Sequence, residues 1–232
     1  MSNYFINIEL LSDTTFGRGD GVAGLIDQEV EHDSYGFPYL RGRTLKGLLS
    51  EECDNLLCLI SDPQRHWLNA RNSLLGVAGS KTETQSRMHV GDACLPDDLR
   101  REVVKQFELE QYAGEITLTP TDILSSLTTF RRQTAIDSKD GIAKDKSLRS
   151  SRVVLRELCF TAPITLNLKP SDDSQKILAL LAVSVLALCR IGSARNRGRG
   201  HVKCTLWEQE NNKELEEITT KHLRYFEQET KA

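Results

Sequence analysis

At 232 residues the chain is long enough for one large domain or two small ones with a real core, and 27% charged residues with no low-complexity tract mark an ordinary globular composition. A net charge of −3 excludes nonspecific capture of nucleic acid by the whole surface, and the N-terminal residues lack the basic–apolar–small pattern of a secretory leader. The longest apolar run, Ile177 to Cys189 with only Ser184 interrupting it, is shorter than the roughly 20 residues a bilayer span needs, so no membrane association is expected. The six cysteines form no C-x-x-C pair, which predicts reduced thiols in a cytoplasmic protein.

In chain order, Tyr4 to Leu11 alternates Ile6, Ile8 and Leu10 with Asn7 and Glu9, the period of a strand. A loop punctuated by Gly17, Gly19, Gly21 and Gly24 follows, then a short extended piece from Ile26 to Glu31 and a turn at Asp33–Gly36. Pro38 enforces extension, and a helix is predicted from about Thr44 to Ile60 with Leu45, Leu49, Cys53 and Leu56 on one face. A second helical stretch, Pro63 to Leu75, stops at Gly76. Residues 76–86 read as an irregular loop and Arg87–Cys94 as a short strand. Asp97–Gln111 reads as a charged surface helix and Thr121–Thr128 as one capped helical turn. Phe130–Ile136 is extended, and 137–150 is basic and Gly-containing. Arg152–Leu168 is one strand, or two joined by a bend, burying Leu158, Phe160, Ala162 and Ile164. Asp172–Arg190 is apolar nearly all round and therefore central. Gly192–Gly200 is an Arg/Gly loop, His201–Trp207 a closing strand and Lys213–Glu229 a terminal helix.

Stripped of insertions, this order predicts an α+β fold with a ferredoxin-like or RNA-recognition-type βαββαβ core. The expected organisation is one domain over 1–232. It carries a helical insertion at 61–127, an arm at 128–150 and a C-terminal helix within 208–232.

Charge is unevenly placed. Residues 12–33 hold six acids and one arginine, whereas 37–49 hold Arg41, Arg43 and Lys46 with no acid. From 128 to 156 there are eight bases against three acids, and 190–203 hold Arg190, Arg195, Arg197, Arg199 and Lys203 with none. Three basic islands on an acidic body are what a defined polyanion track requires.

Two glycine motifs are decoys. Gly19-Asp20-Gly21-Val22-Ala23-Gly24 matches the dinucleotide fingerprint, but no helix starts at the third glycine to hold a pyrophosphate. Gly76-Val77-Ala78-Gly79-Ser80-Lys81-Thr82 has the wrong spacing for a P-loop and follows helical residues.

Gly42-Arg43-Thr44-Leu45-Lys46-Gly47 opens a well-patterned helix, where free amides and the dipole favour a phosphate, although a Thr cap with two solvated cations fits equally. Arg195, Arg197 and Arg199 alternate among glycines in the later loop, a pattern suited to successive phosphates. Asp27, judged by pattern alone, is an edge-strand carboxylate facing water. His32 and His201 lie near these motifs without an identifiable partner, and no Ser/His/Asp or Cys/His constellation is present.

The combination is recognisable. Gly24-Leu25-Ile26-Asp27 through Asp33-Ser34-Tyr35-Gly36-Phe37-Pro38-Tyr39-Leu40-Arg41-Gly42-Arg43-Thr44-Leu45-Lys46-Gly47 resembles the start of RAMP-superfamily proteins, specifically the repeated backbone subunits of type III CRISPR effector complexes. Leu75-Gly76 with Met88-His89-Val90-Gly91-Asp92-Ala93 resembles a second family segment. Phe130–Phe160 resembles the thumb hairpin with its return strand, and Ile191–Val202 the C-terminal Gly-rich loop. The likeness covers about residues 4–207, and its acidic Gly loop and Arg-Gly-Arg-Thr variant are most similar to the type III-D branch.

The resemblance implies that Asp27 is a cleaving aspartate assisted by a divalent cation (Mg or Mn), with Asp27 a possible metal ligand. It implies RNA binding by Arg41, Arg43, Thr44 and Lys46 at the helix start, by Arg131 and Arg132 in a thumb-like arm at 128–150, and by Arg195, Arg197 and Arg199. Implied partners are guide crRNA, complementary target RNA cut at a flipped-out nucleotide, other RAMP subunits, a small subunit and a large polymerase-like subunit. Arg41 and Arg43 replace a family Pro and Ser, so phosphate contact is expected from side chains rather than hydroxyls. Asp137-Ser138-Lys139-Asp140-Gly141 also departs from the family's thumb sequence. Three other readings remain open at this point: a subunit that holds guide RNA without cutting, a precursor-processing endonuclease, and a module unrelated to RNA. The processing class relies on a histidine near the first helix; that helix offers none, and His32 precedes it.

Overall fold

The computed structural model describes residues 2–21, 26–62, 64–77, 85–114, 117–137, 139–144, 147–210 and 214–231. Gly24, the Gly79–Thr82 decoy and Ser138 of the arm lie outside the described residues.

Strand β1 (Ser2–Leu10) is central because its alternation buries Ile6, Ile8 and Leu10 completely while Asn7 and Glu9 face away. It pairs antiparallel with β5 (Cys159–Leu166) on one side and β6 (Val202–Glu210) on the other, in registers that set Ile6 opposite Ala162 and Leu206. β2 (Met88–Val90) closes the far edge against β5, and β7 (Glu216–Glu217) extends the β6 edge, giving the order β2-β5-β1-β6-β7. Without β7 this is the antiparallel order of a split βαβ repeat, the ferredoxin-like core.

The inward face of the sheet is covered by α1 (Gly42–Leu59), which buries Leu45, Leu49 and Cys53, and by α5 (Ser174–Ala187). α5 is capped by Asp173, whose carboxylate accepts the Lys176 N–H at 3.1 Å. It is enclosed on nearly every side, by α1 and by α2 (His66–Leu75), β6 and α6 (Thr219–Lys231), as its apolar sequence requires. Ser184 tolerates this because its hydroxyl donates to the Leu180 carbonyl at 2.8 Å.

Two further helices, α3 (Asp97–Ala113) and α4 (Pro120–Leu127), complete the insertion. The 61–127 stretch is thus not wholly an addition, since β2 within it is a core strand. Gly76 ends α2 as expected, at φ 83°, and α4 carries a full capping box between Thr119 and Asp122.

Arg152–Leu168 resolves into two strands in different sheets. β4 (Arg149–Val154) pairs with β3 (Thr128–Gln133) as a separate hairpin, and Glu157 at φ 70° turns the chain into β5. The C-terminal helix begins at Thr219, later than its sequence pattern indicates. β7 intervenes, and the Thr219 N–H is taken by the Glu217 carboxylate at 2.7 Å. All six cysteines are free, and among the described residues no helix is long and apolar enough to cross a membrane.

Glu110, 8% exposed, ties the end of α3 to the start of α4. Its carboxylate accepts from the Thr117 hydroxyl at 2.6 Å, the Gln106 amide at 2.7 Å and the Leu118 and Thr117 backbone N–H groups at 2.9 and 2.8 Å. Those donors pull its pKa down to about 2. A depressed carboxylate stabilises above its unfolded value and loses that contribution as pH falls through the folded one. Acid titration of unfolding should therefore show a stability loss from about pH 5 towards 2 that Glu110→Gln removes; an unchanged acid limb in the variant would contradict it.

Candidate nucleic-acid interface

The segment 26–31 adds to the outer side of the β3-β4 hairpin. Gln28 bridges Ser151 in parallel, Val30 bridges Gly17, and Arg18 and Glu31 exchange further backbone bonds with Glu29 and Phe16. Gly21 makes this possible, because a Cβ there would lie 2.6 Å from the Asp27 carbonyl oxygen. The supposed dinucleotide glycine is a packing glycine.

Asp27 itself is exposed and, among the described residues, held by Ser150. Its N–H donates to the Ser150 carbonyl at 3.0 Å, and its Oδ2 accepts the Ser150 N–H at 2.6 Å and the hydroxyl at 3.4 Å. Two residues along, Glu29 is 6% exposed and paired with Arg152 at 2.7 Å. Arg152 also donates to the Thr128 hydroxyl at 3.2 Å and lies over the Phe130 ring at 4.5 Å.

The acidic run is otherwise neutralised by arginines drawn from all over the chain. Asp13 pairs with Arg131 at 2.5 Å, Asp20 with Arg18 at 3.0 Å, Glu31 with Arg41 at 2.7 Å and Asp33 with Arg100 at 2.8 Å. Of the six carboxylates in residues 12–33, only Asp27 has no cationic partner among the described residues.

The predicted basic residues divide by how far they are already engaged. Arg43, Thr44 and Arg132 are exposed, and neither Arg43 nor Arg132 has an ion pair among the described residues. Arg41 is tied to Glu31, which also accepts the Tyr39 hydroxyl at 3.1 Å. Lys46 is half-buried and donates to the Ser86 hydroxyl at 2.6 Å and the Met88 carbonyl at 2.7 Å, so it braces α1 on β2; burial lowers its pKa. Helix α1 starts at Gly42, two residues before Thr44, and the Gly42 N–H is taken by the Asp92 carboxylate at 2.7 Å. That amide is thus already occupied by a side chain.

The Gly-rich loop folds over residues 13–15. Gly192 stands at φ 77°, where a Cβ would meet the Thr15 carbonyl oxygen at 2.6 Å, and Ser193 donates to that oxygen at 3.0 Å. Arg195–Arg197 form a 3-10 turn, with Arg195 reaching Glu51 at 3.6 Å. A groove of about 240 Å³ joins Thr44 and Arg41 to Ser193 and Arg195. A wider cleft of about 820 Å³ runs between Arg197 and the arm residues Gln133, Ile136, Lys144 and Arg149. Two of the three islands, the helix start and the loop, therefore share one groove, and the arm meets the loop across the cleft. Among the histidines, His32 Nδ1 donates to the Asp33 carbonyl at 3.0 Å, and His201 is exposed.

Sequence reasoning missed Ser150, Arg152, Glu29, Asp13 and Asp92. The available signal was the shared two-residue spacing of Asp27/Glu29 and Ser150/Arg152, which places both pairs on matching faces of neighbouring strands. Arg152→Ala leaves Glu29 buried without its cation and is expected to cost about 3–5 kcal/mol in urea unfolding; a loss under about 1 kcal/mol would show that the pair does not brace the segment.

No curated protein matches the sequence. The fold is similar to a chain in a cryo-EM structure of the type III-B Cmr-beta complex bound to cognate target RNA, with TM-score 0.60 and 14% identity over 89% of this chain and 97% of that chain. A chain of the apo Cmr-beta complex matches at TM-score 0.59 and 14% identity, covering 88% of this chain and 96% of that one. At that identity the likeness shows the fold alone. The RAMP superfamily model matches residues 7–203, and the chain belongs to that superfamily.

Proposed function

We propose that this chain is a guide-RNA-binding backbone subunit of a type III CRISPR ribonucleoprotein and that Asp27 cleaves complementary target RNA. The observation that carries the cleavage reading is the isolation of Asp27. Five neighbouring carboxylates are bound to arginines, while this one is exposed and, among the described residues, hydrogen-bonded through Ser150 alone. Superfamily membership and the fold shared with a chain of an RNA-bound type III-B complex support the wider role.

In base-paired A-form RNA the 2′-OH is poorly aligned with its own phosphate. A nucleotide displaced from the stack can reach in-line geometry, which is a positioning effect. The cationic track of Arg43, Arg132, Arg195, Arg197 and Arg199 would fix the backbones, leaving sequence choice to guide–target pairing. Asp27 then accepts the 2′-OH proton. The O2′–P bond forms, the P–O5′ bond breaks, and the departing oxygen takes a proton from water. Products are a 2′,3′-cyclic phosphate and a 5′-OH.

No group of three or more His, Cys, Asp or Glu side chains converges among the described residues, so an all-protein metal cage does not fit. A hydrated divalent cation held by the single Asp27 carboxylate and RNA oxygens does fit, because Mg²⁺ keeps most of its waters. Bound there, such an ion would offset charge building on the phosphate.

The reciprocal Asp27–Ser150 hydrogen bonds also favour a second reading, in which Asp27 only joins the segment to β4 and the subunit is a scaffold. Asp27→Asn separates the two, because it keeps an acceptor for Ser150 and removes the charge. In the assembled complex, Asp27→Asn and Asp27→Ala should each lower target cleavage at this subunit's site by about 100-fold or more, with guide-RNA retention unchanged. Wild-type cutting by Asp27→Asn would make the residue structural.

A further inference from the structure

Asp13 lies away from the chemistry assigned to Asp27, yet it joins three elements. Its Oδ2 accepts from Nε and Nη2 of Arg131 on the arm, at 2.9 and 2.5 Å, and its Oδ1 accepts the Arg156 backbone N–H at 3.2 Å. Its carbonyl accepts the Gly200 N–H at 3.0 Å, which fixes the end of the Gly-rich loop. A guanidinium fork plus a backbone amide is the donor set proteins present to an RNA phosphate. The carboxylate is 17% exposed and the guanidinium 52%, so the cation stays open to solvent while its anion is sheltered.

Arg199 directly precedes Gly200, whose N–H the Asp13 carbonyl accepts at 3.0 Å. It is 9% exposed, and its guanidinium has no ion pair or hydrogen bond among the described residues. Burial and the like charges of Arg131 and Arg197 lower its pKa, and Asp13 is the carboxylate that opposes them. None of its guanidinium nitrogens is both sealed from solvent and unpartnered, so this mostly covered cation keeps an opening through which an anion from outside can reach it. Three arginines sharing one carboxylate leave a local surplus of positive charge.

We propose that Asp13 is a built-in phosphate mimic: in the free chain it occupies Arg131, and a backbone phosphate of bound RNA displaces it and bridges Arg131 to Arg199. The inference rests on reading the cationic face as an RNA-backbone site and adds how that site is kept closed. The arm base is held against the Gly-rich loop before RNA arrives and is handed to the RNA on binding. An internal anion competes at high effective concentration, so only a polyanion engaging several islands at once displaces it.

The test is binding of fluorescein-labelled oligouridylate to the full chain across a salt series. Asp13→Asn should tighten binding about fivefold, the weight of one half-exposed ion pair, and steepen the salt slope by about one counterion. In an Arg131→Gln background the same change should tighten binding by clearly less, since only the weaker pull of Asp13 on Arg199 is then removed, and Arg199→Gln alone should weaken binding and flatten the slope by about one. Unchanged or weaker binding by Asp13→Asn beside a weakened Arg199→Gln leaves the RNA site standing and overturns the mimic. Equal tightening in both backgrounds also overturns it, by reducing Asp13 to diffuse charge. Failure of every chain to bind removes the RNA reading and the mimic together. A second measurement needs no variant: on wild-type chain the Arg131 Nε–H resonance should shift, and the Arg156 amide lose exchange protection, as oligouridylate is added. An unmoved Arg131 signal at saturation overturns the proposal.

Discussion

The attachment of residues 26–31 to β4 is the constraint from which the rest of the site follows. The Asp27 carboxylate has no rigid element of its own. Its position is borrowed from Ser150, which β4 holds opposite Arg132 of β3, and Arg152, two residues on, is locked to Glu29 inside the protein. Arg152 is fixed in turn by the Thr128 hydroxyl and the Phe130 ring on β3. The base of the arm and the proposed reacting group are thus one mechanical unit. Movement of the hairpin on RNA would move Asp27 with it.

Charge neutralisation supplies the second layer. A chain with six acids in residues 12–33 and three basic islands elsewhere could form unspecific salt contacts. Here most of that charge is assigned, Glu29 and Glu31 within the interior and Asp13, Asp20 and Asp33 nearer the surface. What remains unassigned is informative. Among the described residues Asp27 lacks a cation, and Arg43, Arg132 and the largely covered Arg199 lack an anion. Arg132 belongs to the arm, Arg199 to the Gly-rich loop, and Arg43 adjoins Thr44 on the groove, where a polyanion would supply the missing anions.

Much of the core was legible in the sequence because it depends on period alone. The alternation of β1, the apolar α5, the Gly76 stop and the Thr119–Asp122 cap all follow from residues within a few positions of one another. The division of 149–166 between two sheets depends on Glu157 adopting φ 70°, which no local pattern announces. The start of α1 moves to Gly42 because Asp92, fifty residues on, serves its N-terminus. Lys46 reads as a free cation and is instead a brace, since Ser86 and Met88 come to it only through the sheet. In the sequence only the family resemblance singles out Asp27; its isolation among paired carboxylates was not legible, because every partner lies at a distance fixed by the fold.

The most direct test is a cryo-EM reconstruction of the complex assembled with guide RNA and a target carrying a 2′-deoxy substitution at the cut site. The account predicts an Asp27 carboxylate still bonded to Ser150 and within about 3 Å, directly or through one water or ion, of the displaced linkage. A carboxylate bonded to Ser150 with every target phosphodiester beyond the reach of a bridging water would contradict it.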